Sequence, residues 1–507
     1  MTRIDERAES DAAPVRRRAR WAIDVRPLRT PAYRRMWIGT AVSMYGYQFT
    51  AVAVPVQMYA LTRSSFWVGL LGLAALLPLL VFGLWGGAVA DAVDRRRLLL
   101  ASSSLAWVAT LGLLVQALLR VGSPVLLLGL VAVQSTAFAV SSPARQAIIP
   151  RLVPRGLVPA ANTLGYTTTT AGMVLGPLTA GLVFAAWAEP VALPIAYATD
   201  ALLFTVSLWA TLRLPAMPPA ETVPPAETVP AAETVPPAVV PPAAAAAAAA
   251  DAAAAADTPA SAAPTKATIA DAPAADAPTA DAPGVGGPAE GVGGPAEGAP
   301  AVAVRSVGLR SIGDGFRYLA GTPVLLLSFA IDIIAMVLAF PRTLFPQVAA
   351  ERFGGGAAIG WLYSAIAIGS VLGGLTSGWI GRVRRQGAAL VAAVVGWGVA
   401  IAVSGFARQL WLMVLLLAVA GAADLVSAVF RQSMLQVYVP DRLRGRLQGV
   451  NTVVVAGGPR LGDLRAGATA AAFGATASWV GGGVAAAVLA VLLALAFPAL
   501  RRYRAGD

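Results

Sequence analysis

Four aspartates and four arginines stand in parts of this 507-residue chain that carry almost no other charge. Asp200, Asp332, Asp424 and Asp463, with Arg342, Arg431, Arg460 and Arg465, each fall inside a long apolar stretch. An ionisable side chain at bilayer depth is costly, so each is a site candidate by default. Burial disfavours a charged carboxyl and a nearby arginine favours it. A carboxyl that alternates between a dry setting and an arginine or water can therefore bind and release a proton. Spacing sorts the candidates. Arg460 and Asp463 are three apart and can share a helix face. Asp424 and Arg431 lie about 10 Å apart along one face, and Asp332 and Arg342 about 15 Å apart along the axis, so pairing in either case needs another helix. Asp424 and Asp332 lead as proton-coupling candidates because neither has an arginine within one turn. Asp463, expected to be held ionised by Arg460, and Asp200 follow. A buried Asp–Arg pair can also simply lock two helices together, and for Asp200 a structural hydrogen bond is an equal reading.

The chain has no histidine and no cysteine. Disulfides, thiol nucleophiles and imidazole–metal sites are excluded, and proton transfer is left to carboxylates. No metal and no cofactor are expected. No phosphate-binding Gly-x-x-x-x-Gly-Lys-Ser/Thr occurs, so ATP-driven work by this chain alone is disfavoured. Neither a Ser/His nor a Cys/His pair can be assembled, and the reading is not an enzyme.

The elements that must position these residues are apolar runs of membrane-spanning length. About 20 apolar residues rise roughly 30 Å as a helix, the thickness of the hydrocarbon core. Such runs fall near 36–61, 66–90, 98–119, 124–143, 162–186 and 191–212, then near 323–346, 357–381, 387–407, 410–436, 450–474 and 477–500. Only 13% of residues are charged, and the short alternating segments of a β-barrel are missing. The expected class is an all-α polytopic membrane protein with 12 transmembrane helices in two six-helix bundles. The expected division is a cytoplasmic tail (1–35), an N-terminal bundle (36–213), a linker (214–304), an amphipathic cytoplasmic helix (305–322), a C-terminal bundle (323–500) and a short cytoplasmic tail (501–507). The first 30 residues are Arg-rich without an apolar centre, unlike a cleaved signal peptide.

Arginines alternate with the loops. One side receives Arg16–Arg18, Arg20, Arg34 and Arg35, then Arg95–Arg97, then Arg145, Arg151 and Arg155 after the fourth span. In the second half it receives Arg305, Arg310 and Arg317, then Arg382, Arg384 and Arg385, then Arg442, Arg444 and Arg446, and finally Arg501, Arg502 and Arg504. The other side has little beyond Arg63, Arg120, Arg352 and Arg408. The positive-inside rule puts both termini in the cytoplasm of a plasma-membrane protein. The linker holds ten of the acidic residues and one lysine; without it 37 basic and 16 acidic residues remain, a net charge of +21. That excess sits at helix ends, so it reads as topology and not as a nucleic-acid surface. The linker itself, with Glu-Thr-Val-Pro repeats, an alanine tract and Gly-Val-Gly-Gly-Pro-Ala-Glu-Gly twice, lacks the bulky apolar residues for a core and is expected to be a disordered tether.

Several motifs sharpen the reading. Between spans 2 and 3 the chain runs Gly87-Ala-Val-Ala-Asp91-Ala-Val-Asp94-Arg95-Arg96-Arg97. The fifth span carries Gly172-x-x-x-Gly176-Pro177-x-x-Ala180-Gly181, where small residues four apart bring backbones close and the proline releases a helix hydrogen bond. Pro143-Ala-Arg145-Gln146, Pro440-Asp441-Arg442-Leu-Arg444-Gly445-Arg446 and Gly458-Pro459-Arg460-Leu-Gly462-Asp463 add to these. Together they resemble the major facilitator superfamily, and within it the enterobactin-exporter-like branch. Gly87, Asp91, Arg95 and Arg96 match the superfamily's signature loop, whereas Ala92 and Asp94 depart from it. Thr163 and Ala180 stand where the fifth-span antiporter motif has glycine.

The resemblance implies alternating access between two lobes, with Gly87, Asp91, Asp94, Arg95 and Arg96 acting as a conformational latch. It implies efflux through Gly172, Gly176, Pro177 and Gly181. It also implies a cavity lined from the first span of each half. Tyr45, Gln48, Gln57, Gln134 and Arg342 are the substrate-cavity candidates. The expected function is proton-coupled efflux of an amphipathic small molecule (siderophore, macrolide-like antibiotic or other drug) by a monomer, with protons and the bilayer as its other partners. A proton-coupled importer, and a non-transporting membrane scaffold or sensor, are the alternatives.

Overall fold

Several helices begin at a proline, and several end just before a proline or glycine. In the computed structural model, Pro31–Thr62 (α1), Pro124–Leu152 (α4), Val158–Ala186 (α5), Glu189–Leu212 (α6) and Pro323–Ala339 (α7) all carry proline in the first turn, where its missing N–H costs nothing. Between them lie Ser65–Ala92 (α2) and Arg95–Leu118 (α3). The second half continues with Phe345–Phe353 (α8), Ala357–Leu375 (α9), Gln386–Ser404 (α10), Leu410–Tyr438 (α11), Asp441–Phe473 (α12), Ala475–Ala496 (α13) and Pro498–Arg502 (α14). The structure describes residues 24–92, 94–215, 317–319, 321–439 and 441–503. All of these belong to one unit, Met1–Thr222 with Ser306–Asp507. The linker beyond residue 215 and most of the expected amphipathic helix at 305–322 lie outside the described residues.

No strand occurs among the described residues, and ten segments are long and apolar enough to cross a membrane. The two remaining long helices are α1, with 32 residues, and α12, with 33. Both have the length to span, and their interior polar residues lower their hydropathy. Large apolar side chains such as Leu182, Leu202, Phe406 and Trp411 are turned outward, as a lipid-facing surface requires. The chain is a multi-pass membrane protein.

The packing of the first half repeats in the second. In the N-terminal half α1 packs on α6 and α5, α4 on α2 and α3, and α3 on α6. In the C-terminal half α7 packs on α13 and α12, α11 on α9 and α10, and α10 on α13. The halves meet along two seams, α2 against α12 and α5 against α9. By their packing partners α2 corresponds to α9 and α5 to α12, so one pseudo-twofold axis relates the bundles and exchanges the two seams.

Three boundaries differ from the expected spans. The fourth extends to Leu152, so Arg145 is an intrahelical residue and not a loop arginine. The seventh is broken: α7 stops at Ala339, Phe340 is extended, and a 3-10 turn at Arg342–Leu344 leads into α8. The residue before a proline is pushed out of the helical region, and Pro341 follows Phe340. The eighth ends at Leu375 and continues as a 3-10 turn over Ser377–Arg382.

Candidate functional site

Glycine brings the two halves together at both seams. A Cβ on Gly360 would lie 2.5 Å from the Pro177 carbonyl oxygen and 2.8 Å from Gly181 Cα, so α5 and α9 touch through backbone. Ser364 Oγ adds a hydrogen bond to the Val174 carbonyl at 2.9 Å. At the other seam a Cβ on Gly69 would lie 2.7 Å from the Asp463 carbonyl oxygen, and one on Gly72 2.8 Å from Asp463 Cβ. Of the fifth-span motif, Pro177 and Gly181 thus face the opposite half, whereas Gly176 faces α1: its Cβ would clash with Gln48. Gly172 is buried in the same direction, with Met44 Cγ 3.9 Å from its Cβ position.

One end of the pathway carries a further polar contact between the halves. Tyr59 Oη donates to Glu351 Oε1 at 2.6 Å, Ser65 Oγ to Gln347 Oε1 at 2.5 Å, and Gln347 Nε2 to Glu351 Oε1 at 3.1 Å. The same glutamine–glutamate helix, α8, is tied to its own half by Arg352, which donates to the Gly405 carbonyl at 2.8 Å and to Thr476 Oγ1 at 2.5 Å. This sealed end lies opposite the arginine-rich loops.

Within the N-terminal half most expected cavity residues are already committed. Gln57 and Gln116 exchange amide hydrogen bonds at 3.0 and 2.9 Å, and Tyr197 Oη donates to Gln57 Oε1 at 2.7 Å. This buried set joins α1, α3 and α6, and it satisfies polar groups that lipid cannot. Gln134 Nε2 donates to Thr110 Oγ1 at 2.9 Å, and Tyr45 Oη to Thr179 Oγ1 at 2.8 Å. Gln48 is buried against α5. Asp200 is buried between α6 and α1: Thr50 Oγ1 donates to its Oδ2 at 2.6 Å, and its Oδ1 has no hydrogen-bond partner. Arg145 Nη1 donates to Thr40 Oγ1 at 2.9 Å, joining α4 to α1.

In the C-terminal half Asp332 of α7 forms an ion pair with Arg431 of α11. Asp424, half-buried on α11, makes no hydrogen bond or ion pair with a described residue. Asp463 Oδ1 instead accepts from Thr343 Oγ1 at 2.7 Å, in the break of the seventh span. Arg460 turns along its own helix to the Ala456 carbonyl at 3.2 Å and makes no ion pair with Asp463. The expected Arg460–Asp463 pairing is therefore replaced by a helix-to-break contact. Arg342 stands over the ring of Tyr363, its Cζ 5.3 Å from the centroid, at cation–π distance. Tyr363 is buried and packs edge-on against Phe345 at 5.1 Å. The orphan carbonyls at the end of α7 are met by Arg465: Nε donates to Val337 O at 3.1 Å and Nη2 to Leu338 O. A cation on helix C-terminal carbonyls is favourable for both. Gly482 leaves room for that guanidinium, since a Cβ there would meet it at 2.8 Å.

The signature loop between α2 and α3 is only partly visible, because the surroundings of Gly87 and the side chains of Asp91 and Arg95 are not described. Asp94 caps α3, accepting from the Arg97 amide at 3.0 Å, and Arg96 Nη2 donates to the Leu212 carbonyl at the end of α6 at 2.7 Å. Both act on helix ends within the N-terminal half.

Several participants escaped the sequence: Thr40, Thr50, Tyr59, Gln116, Tyr197, Thr343 and Glu351. Their signal was present, since a Gln, Thr or Tyr deep in an apolar helix needs a partner on another helix.

Two pseudo-equivalent bundles, glycine seams between them and buried charge on the facing helices define a transporter of the major facilitator type. Solved transporters share the architecture. A bacterial homologue of the human lysosomal transporter Spinster, inward-facing and unoccupied, superposes with a TM-score of 0.63 at 14% identity, covering 94% of this chain and 99% of that one. The nucleoside transporter NupG gives 0.60 at 14% identity, covering 93% and 99%. At such identities the likeness is one of fold. Among curated proteins, the enterobactin exporter EntS of Shigella boydii serotype 18 is 26% identical over 495 residues, 96% of each chain. Residues 22–234 and 300–507 match the family described as transmembrane secretion effectors, and the chain belongs to that family.

Proposed function

We propose that this chain is a proton-coupled exporter of an amphipathic small molecule in the cytoplasmic membrane, with both termini in the cytoplasm. The reading is carried by one observation: a carboxylate–arginine pair, Asp332–Arg431, spans two helices of the same lobe, and Asp424, a carboxyl with no partner among the described residues, lies two turns along α11. Protonation of Asp332 releases Arg431, and Asp424 lies about 10 Å along the same helix as the next acidic site. A proton entering here exchanges the pair for a neutral acid and a free guanidinium, a change large enough to bias two lobe arrangements. Loop arginines gathered at one end support the orientation. On it, the sealed seam at Tyr59 and Glu351 faces outward. Asp200 and Asp463, each held by a threonine hydroxyl, are secondary sites in this scheme. The 26% identity to an enterobactin exporter supports a siderophore-type cargo.

The test uses inside-out vesicles and enterobactin as the first cargo. An imposed proton gradient should drive its accumulation, and adding cargo should release protons that a pH dye reports. Asp332→Asn and Asp424→Asn should uncouple the two. Vesicles that move neither enterobactin nor a panel of amphipathic drugs, or variants that both carry protons as the parent does, would refute the reading. Cells carrying the gene should hold less cargo than cells without it; more would indicate an importer.

A further inference from the structure

We propose that Arg145 is an anion-binding residue of the transport pathway, and that the cargo is an amphipathic organic anion. This deepens the export reading and rests on it. The argument comes from the internal repeat. Helices α1 and α4 correspond to α7 and α11 by their packing partners. Thr40 is nine residues past the first residue of α1, and Asp332 nine past the first of α7. Arg145 and Arg431 each stand seven residues before the end of their helix. The contact Arg145–Thr40 is therefore the pseudo-symmetric counterpart of Arg431–Asp332.

The two copies differ in one respect. Arg431 meets a carboxylate, and the pair is neutral. Arg145 meets a hydroxyl, and no described carboxylate lies within ion-pair distance of it. A guanidinium offers five N–H donors, and among the described residues one hydrogen bond is made here. The side chain is half-buried about 10 Å from the end of α4, where an uncompensated charge is expensive. Its helix and α1 bridge the seam helices α2 and α5, just as α11 and α7 bridge α9 and α12. Both arginines thus belong to the walls that face each other between the seams. A ligand oxyanion at Arg145 would complete in the N-terminal half the charge balance that Asp332 supplies in the other.

The experiment measures binding to purified protein in phosphatidylcholine nanodiscs by tryptophan fluorescence. The probes are two anion–neutral pairs, salicylate with salicylamide and 1-naphthoate with 1-naphthamide. The parent should prefer each anion. Arg145→Gln should weaken the anions by about ten- to a hundredfold and leave the amides unchanged. Arg145→Lys should restore part of the preference. Thr40→Asp should remove it as well, by giving Arg145 the partner that Arg431 has, and keeps a folded protein in the comparison if Arg145→Gln proves unstable. Arg408→Gln, an exposed arginine, is the control and should change nothing. No preference for the anion in either pair, or a preference that survives both Arg145→Gln and Thr40→Asp, overturns the inference. So does loss of the preference on exchanging phosphatidylcholine for phosphatidylglycerol, which would assign Arg145 to a lipid headgroup. None of these outcomes touches the proton-flux test of export.

Discussion

Adding one methyl group at Gly360 tests whether the seams are the moving contacts. In Gly360→Ala the new Cβ lies 2.5 Å from the Pro177 carbonyl oxygen and 2.8 Å from Gly181 Cα, against an ordinary contact that starts at 3.4 Å. The obstructing atoms are backbone on both sides, so no side chain can swing aside and α5 must retreat from α9 by roughly an ångström. Overpacking of this kind costs about 1–3 kcal/mol. That cost falls only on the arrangement in which the seam is closed, so the closed-to-open ratio should drop by about 5- to 150-fold. The chain has no native cysteine, so spin labels can be placed directly at Val121→Cys and Arg408→Cys, loop positions on the two halves at the sealed end. Pulsed dipolar spectroscopy should show a short distance in the parent and a second, longer population in Gly360→Ala. Gly129→Ala, where a Cβ meets nothing within 4 Å, should leave the distribution unchanged. If Gly360→Ala gives the parent's distribution at full stability, the α5–α9 contact is not what holds this end shut.

Other substitutions probe separate parts of the assembly. Arg465→Met should strip the Val337 and Leu338 carbonyls of their donors and lower the unfolding temperature in detergent, by about 2–3 kcal/mol of stability, with Arg465→Lys recovering only part. Gln57→Leu should destabilise by about 1–3 kcal/mol and leave cargo KM unaltered, while the Gln57→Leu/Gln116→Leu double variant should be closer to the parent than additivity predicts. Tyr59→Phe, which removes the bond to Glu351, and Glu351→Gln, which keeps an acceptor but loses its charge, should each favour opening of the sealed end by about 0.5–1.5 kcal/mol, read with the same spin-label pair, and should not be additive because they act on one shared contact.

Hydropathy was enough to place most of the spans, because a stretch such as 477–500 has no soluble alternative, but it ranks α1 and α12 below the other ten. It failed where a helix outlasts its apolar stretch. The fourth span reads as ending at Val140-Ser-Ser-Pro143, yet proline is tolerated in a membrane helix when neighbours satisfy the freed group, so α4 runs on and carries Arg145 inward. The break at Phe340–Pro341 was readable from the proline, but the apolar residues on either side of it hid the interruption in a hydropathy average. The candidate charges were found by type, and their partners were not. Asp332 and Arg431 are 99 residues apart, and no periodicity within one helix can reveal a bond to another. The same applies to Asp463, for which Arg460, three residues away, was a poorer guide than a threonine on the broken span.

The interrupted seventh span has a bearing on how the lobes separate. Its outer piece, α8, is a peg shared by two owners: two neutral-donor bonds reach across to Tyr59 and Ser65, and two arginine bonds hold it to Gly405 and Thr476. Both bonds to its own lobe come from a guanidinium, whereas only one of the two crossing bonds, Tyr59 to the Glu351 carboxylate, has an ionised partner, so parting the lobes should shear the crossing contacts first. The short helix then travels with the C-terminal lobe, and the break in the α-helix at 340–344 lets it tilt without dragging α7.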